Sequence, residues 1–239
     1  MQSIDAHGHI IVRQITSDFG DEPWRIQIER VEGGQIVSNN QMKLGPLPHE
    51  IVDINGVLED MDRLKINTMA ICPPPFLFFY DLPPKDALLA AQIQNDATAL
   101  LNSDYPERFV GLAVIPLQDI KSTLAELKRS VDELGLHGIE IGSNVQGTYL
   151  GDPRFEPFWE TVADMDLFVF IHPEYFMSHM PQALREYYLM NLVGNPIETA
   201  LNAGHMVFSG LFERHPKLKV LLAHGGGAMP WLKGRWQHG

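Results

Sequence analysis

Cysteine is almost missing from this sequence: Cys72 stands alone among 239 residues. That excludes an internal disulfide and fits a reducing compartment. Set in the apolar run Met69-Ala70-Ile71-Cys72, it reads as a small core residue rather than a nucleophile. Positive charge is also scarce, with 18 Lys+Arg against 30 Asp+Glu and a formal net charge of -12. Without a basic cluster, neither a nucleic acid nor an anionic membrane is an expected partner. No run approaches the ~20 apolar residues of a membrane span. The opening Met1-Gln2-Ser3-Ile4-Asp5 is not a charged start followed by an apolar signal core. The expectation is a soluble, cytoplasmic chain without repeats or low-complexity segments.

What is present is a rhythm. Short apolar runs alternate with helical patterns, which predicts βα units and a parallel sheet. The first strand is expected at Ser3 to Ile10, followed by an irregular insertion over about 15–48. Within it, Ile26 to Val31 and Gln35 to Val37 flank Gly33-Gly34 and read as a small β-hairpin. Helices are then predicted from Asp53 to Leu64, Lys85 to Asn102, Asp119 to Leu134, Phe155 to Met165 and Pro196 to Phe212. The strands between them are predicted at Thr68 to Cys72, Phe109 to Ile115, Gly138 to Ile141, Leu167 to Ile171 and Lys219 to Ala223. Asp119 is the expected cap of its helix and Gly135 the stop. The count is six strands, so 1–239 reads as one α/β domain, either a TIM-type barrel with about six of eight βα units or an open six-stranded sheet.

Histidines gather at the strand ends. Asp5-Ala6-His7-Gly8-His9 closes the first strand, where residues two apart share a face and their imidazoles converge. Two neutral imidazoles are half of a zinc, manganese or iron site, and Asp5 on the same face can support a ligand from behind. Alone the pair is a weak signal. However, the fifth strand ends Phe170-Ile171-His172-Pro173 and the sixth Ala223-His224-Gly225-Gly226-Gly227. Barrel enzymes draw catalytic residues from the C-terminal ends of several strands. The triple glycine lets a loop pass close to a ligand.

Those three motifs, with Tyr105-Pro106-Glu107-Arg108-Phe109-Val110-Gly111-Leu112 and Leu192-Val193-Gly194-Asn195-Pro196-Ile197-Glu198-Thr199, resemble the aminocarboxymuconate-semialdehyde decarboxylase family of the amidohydrolase superfamily. The resemblance runs in order along the chain outside the insertion. It implies a metal-dependent TIM (β/α)8-type barrel in which His7, His9 and His172 bind one divalent ion, zinc first and manganese second, without an organic cofactor. It implies that His224 is the acid/base residue. It also implies a homodimer in which Arg235 reaches the carboxylate of a small acid bound by the partner, as a guanidinium fork suits.

The expected activity is non-oxidative decarboxylation of a small aromatic or unsaturated acid. A hydrolase of a C–C, C–N or ester bond, a hydratase and an inactive fragment are the alternatives. Two departures from the family pattern matter. Its fourth ligand, an aspartate in a Gly-Ser/Thr-Asp-Tyr-Pro context, is expected beyond Gly239, because Ser103-Asp104-Tyr105-Pro106 follows a helix and precedes the third strand. The insertion's Ser38-Asn39-Asn40-Gln41-Met42-Lys43-Leu44 lacks the family's substrate arginine, and acidic Glu174 replaces an aromatic after His172-Pro173. Both point to a monocarboxylate. His49, His137, His179, His205, His215 and His238 read as structural or solvated, with a cation at His215 suiting a helix end.

Overall fold

The computed structural model describes residues 3–174 and 182–238; of the structural histidines predicted above, His179 lies outside them. Six parallel strands form one sheet: β1 (Ile4–His9), β5 (Thr68–Cys72), β6 (Phe109–Val114), β7 (Gly138–Gly142), β10 (Phe168–His172) and β11 (Lys219–Leu222), in that spatial order, while β8 (Asn144–Val145) and β9 (Thr148–Tyr149) pair in a short ribbon of their own. The sheet curls as a half-barrel, with β1 and β11 at its edges. All six run in one direction, so every strand delivers its C-terminal residue to the same rim.

The connecting helices are α1 (Ile54–Leu64), α2 (Pro84–Asp104), α3 (Ile120–Asp132), α4 (Glu156–Asp164) and α5 (Asn195–Phe208). Period-2 alternation sorts the strand residues. Ile139, Ile141, Val169 and Ile171 face the helices and pack with the wholly buried Phe155, Phe158 and Trp159. Truncating one such aromatic to alanine costs about 3–5 kcal/mol. On the other face, Ala70, Cys72, Leu112, Phe170 and Ala223 make a smaller interior cluster beneath the rim.

Local chemistry sets the helix ends. Asp119 accepts the Ser122 N–H at 2.9 Å, capping α3 as its sequence predicts. Gly135, at φ 69°, turns the chain so that Leu136 N–H reaches the Ser130 carbonyl at 2.9 Å. The single helix predicted from Pro196 to Phe212 is instead two. Gly210 adopts φ 74° and stops α5, and α6 (Leu211–Arg214) restarts beyond it.

The insertion also departs from its prediction. It is a three-stranded antiparallel meander of β2 (Gln27–Val31), β3 (Gly34–Ser38) and β4 (Lys43–Leu47), not a two-stranded hairpin. Gly45-Pro46 reads as a turn in sequence, yet proline is tolerated on an edge strand that needs no outward N–H. The meander shares a core with the barrel, where Trp24, Ile26 and Val37 pack with Leu77, Phe79 and Ala90. Arg25 is buried there, paired with Glu22 and donating to the Gln14 carbonyl at 2.6 Å. That arginine pins the insertion's own backbone. Among the described residues no helix is long and apolar enough to cross a membrane.

Candidate metal centre

The four histidines predicted from strand ends meet at one point of the rim. The His7 ring centroid lies 4.8 Å from that of His9, 5.3 Å from His172 and 5.3 Å from His224. His9 and His172 are 5.2 Å apart, and His172 and His224 5.1 Å. One ring nitrogen each from His7, His9 and His172 lies within 4.8 Å of the others.

A bulge aims the first pair. The β1–β5 register shifts between Asp5 and Gly8, which re-points the strand where the two ligands leave it. Glycine at position 8 leaves room for Met69: a Cβ would sit 2.4 Å from its Sδ and 3.0 Å from the Ala70 carbonyl oxygen, so a larger residue would have to displace that side chain. Asp5 is half-buried and accepts the backbone N–H of His7 at 3.0 Å, so it braces the bulge rather than joining the three rings.

These rings fit a divalent ion. Burial lowers the pKa of His7 to about 4, of His9 to about 3 and of His172 to about 2, so all three are neutral donors at pH 7. His172 Nδ1 lies 3.0 Å from the Pro173 carbonyl oxygen, which holds the ring proton there and leaves Nε2 as the free lone pair. His7 Nε2 and His9 Nε2 are 3.0 Å apart. Two imidazole ligands on a tetrahedral ion, with bonds of ~2.0–2.1 Å, stand about 3.3 Å apart. Phe170 packs edge-on against His7 at 4.8 Å and fixes its tilt from below.

His224 differs from the other three in being exposed. Its pKa is nevertheless lowered, because the ring is partly desolvated where it lies against His7 and His172. It stands two residues past β11 in a left-handed conformation at φ 55°, and Gly225, Gly226 and Gly227 continue at φ 64°, 84° and 58°. Such a run suits glycine, and Gly227 packs so tightly that a Cβ would lie 2.4 Å from the Pro196 carbonyl oxygen. Two N–H groups of the turn are already engaged, Ala228 N–H donating to the Pro196 carbonyl at 2.9 Å and Gly227 N–H to the His224 carbonyl at 3.1 Å.

Arg235 is exposed on α7 (Met229–Trp236), outside the ring contacts of the four histidines. Asp104 ends α2 and precedes β6, on the far side of the sheet from the rim, in keeping with its rejection as a ligand. His215 bonds Glu156 Oε1 at 2.8 Å, and His205 stacks on Tyr149 at 4.4 Å.

Two features escaped the sequence reading. Behind His172, Glu198 is buried and accepts from Ser143 Oγ at 2.7 Å, Asn144 Nδ2 at 2.8 Å and Tyr149 Oη at 3.1 Å. Asn144 and Ser143 in turn hold the Glu174 backbone. Below the rim, Glu140 projects from β7 into the interior, wholly buried. A charge at the centre of Gly138-Ile139-Glu140-Ile141-Gly142 was the available signal.

The amidohydrolase family model matches residues 4–238. Over 184 residues the chain is 42% identical to 2-amino-3-carboxymuconate-6-semialdehyde decarboxylase of Dictyostelium discoideum, covering 76% of this chain and 50% of that protein. It is 32% identical over 206 residues to gamma-resorcylate decarboxylase of Rhizobium radiobacter, covering 80% and 62%. A solved dihydroxybenzoic acid decarboxylase from Polaromonas sp. JS666, with bound manganese and the inhibitor 2-nitroresorcinol, superposes with a TM-score of 0.76 at 25% identity, covering 98% of this chain and 69% of that one. The chain thus spans about half to two-thirds of the length of these relatives. With a family match over nearly its whole length and the histidines at the strand ends, the chain belongs to the amidohydrolase family.

Proposed function

We propose that this chain carries the metal centre and the proton-transfer residue of a non-oxidative decarboxylase acting on a small aromatic or unsaturated monocarboxylic acid. The observation that carries the reading is the convergence of three neutral histidines with a fourth, solvent-accessible one beside them. The names of the relatives agree in reaction type.

His7, His9 and His172 would hold one divalent ion, zinc or manganese, which when bound would supply Lewis-acid stabilisation to the substrate's carboxylate or a neighbouring hydroxyl. His224 delivers a proton from its ring nitrogen to the substrate carbon that bears the carboxylate. The C–C bond to the carboxylate then breaks, its electron pair returns to the conjugated system, and CO2 leaves. His224 regains a proton from water, which its exposure permits. The substrate's own conjugation holds the electrons, so no organic cofactor is required.

The same reading makes the protein a soluble, cytoplasmic homodimer, with Arg235 gripping the substrate carboxylate in the partner's site. A panel of hydroxybenzoates and muconate analogues tests the reaction class. CO2 released one-for-one with acid consumed supports decarboxylation. No CO2, with turnover of esters or diketones instead, assigns a hydrolase.

A further inference from the structure

A second group of ligand atoms lies directly beneath the three-histidine centre. His9 turns Nε2 toward His7 and Nδ1 toward the interior, where Cys72 Sγ stands 3.7 Å away. Glu140 comes across from β7, and one atom each of His9, Cys72 and Glu140 lies within 4.8 Å of the others. Both carboxylate oxygens of Glu140 are buried, and the Cys72 thiol is their one hydrogen-bonding neighbour among the described residues. Buried polar groups in folded proteins are normally well partnered, and a thiol is only a weak donor, so this buried carboxyl group is poorly satisfied by the protein alone. Nothing in the packing of β7 calls for an acid, since its other residues are glycine and isoleucine.

Imidazole, thiolate and carboxylate together form a donor set typical of zinc, and the thiolate disfavours manganese. We propose that His9, Cys72 and Glu140 form a second cation seat, specific for a thiophilic divalent ion and sharing His9 with the three-histidine centre. Filled alone, the seat uses Nδ1 of a neutral imidazole. Filled together with its neighbour, it would require His9 to give up its remaining ring proton as well. In either case Cys72 would bind as the thiolate and Glu140 as the carboxylate, and each proton released passes to solvent.

Cobalt(II) is the probe, because its bond to thiolate gives an intense near-ultraviolet charge-transfer band that imidazole and carboxylate do not give. The metal-stripped chain titrated with cobalt(II) should take up a second equivalent, and the band should grow with one of the two. His7→Ala/His172→Ala should lose manganese binding and keep the band. Cys72→Ser should lose the band and keep manganese binding. Glu140→Gln should weaken the band-forming equivalent about 10–100-fold, the range for groups that hold a metal site together. Zinc-edge X-ray absorption on the unaltered chain, independent of any variant, should show sulfur in the metal's coordination sphere. Binding that stops at one equivalent with only nitrogen and oxygen ligands overturns the proposal. So does a band that vanishes with His7 and His172, because the thiol then serves the upper centre. Manganese binding and the thiolate band are separate readings, so failure of the lower seat is distinguishable from failure of the upper one.

Discussion

The Ser143 hydroxyl donates to the buried Glu198 carboxylate at 2.7 Å, and the Ser143 backbone N–H donates to the His172 carbonyl at 2.8 Å. One serine therefore links α5 to the strand end that carries a proposed metal ligand. Glu198→Ala strands the Ser143 hydroxyl and one Asn144 N–H in a buried pocket, each costing about 1–3 kcal/mol when left unpaired. We expect a loss of about 2 kcal/mol or more in urea unfolding of the metal-free chain. Glu198→Gln, which retains an acceptor, should lose less. An unchanged midpoint for the alanine variant contradicts this link.

The turn after His224 yields a paired prediction. Gly225 and Gly227 both have positive φ, but a Cβ on Gly225 meets nothing within 4 Å, whereas one on Gly227 collides with Pro196. Gly225→Ala should cost about 1–2 kcal/mol, the ordinary price of a left-handed residue. Gly227→Ala should cost more, because α5 has to move as well. Equal costs in thermal unfolding count against the close approach described here.

Acid sensitivity has an identifiable contributor. Glu156 is held down to about 2, first by its hydrogen bonds to Arg214 and then by His215. A folded-state value below the ordinary 4.5 contributes stability above pH 4.5 that is lost as pH falls toward 2. The pair is solvent-screened, so Glu156→Gln should lower the melting temperature at pH 7 by only about 1–3 °C. Variant and parent should converge only as pH approaches 2. A gap that widens in acid contradicts the sign.

Assembly is tested by complementation. If Arg235 serves the partner's site, mixing an Arg235→Ala chain with a His224→Ala chain creates hybrid dimers with one intact composite site. Activity should recover in part. No recovery despite demonstrated subunit exchange places the arginine elsewhere.

Histidines at strand ends were readable because strand periodicity and apolar runs locate the rim before any coordinates exist. His7, His9, His172 and His224 therefore meet where the pattern put them. The same logic located β5 to the residue. What it missed depends on distant contacts. The β1 bulge arises from pairing with β5, and β4 hides behind a Gly-Pro that local rules read as a turn. The break at Gly210 lost to the apolar pattern on either side of it. Cys72 was placed correctly in the core, but its neighbours there, His9 and Glu140, come from strands far away in sequence.

The most direct test of the account measures CO2 release and metal content on the same preparations of the parent protein and His224→Ala. The prediction is that the variant keeps its metal, because His7, His9 and His172 remain, while its rate falls about 10²–10⁴-fold, the usual contribution of a general acid–base group. A variant that keeps both metal and rate removes His224 from the chemistry; one that loses its metal makes His224 a ligand, and either result contradicts the division of roles among the four histidines.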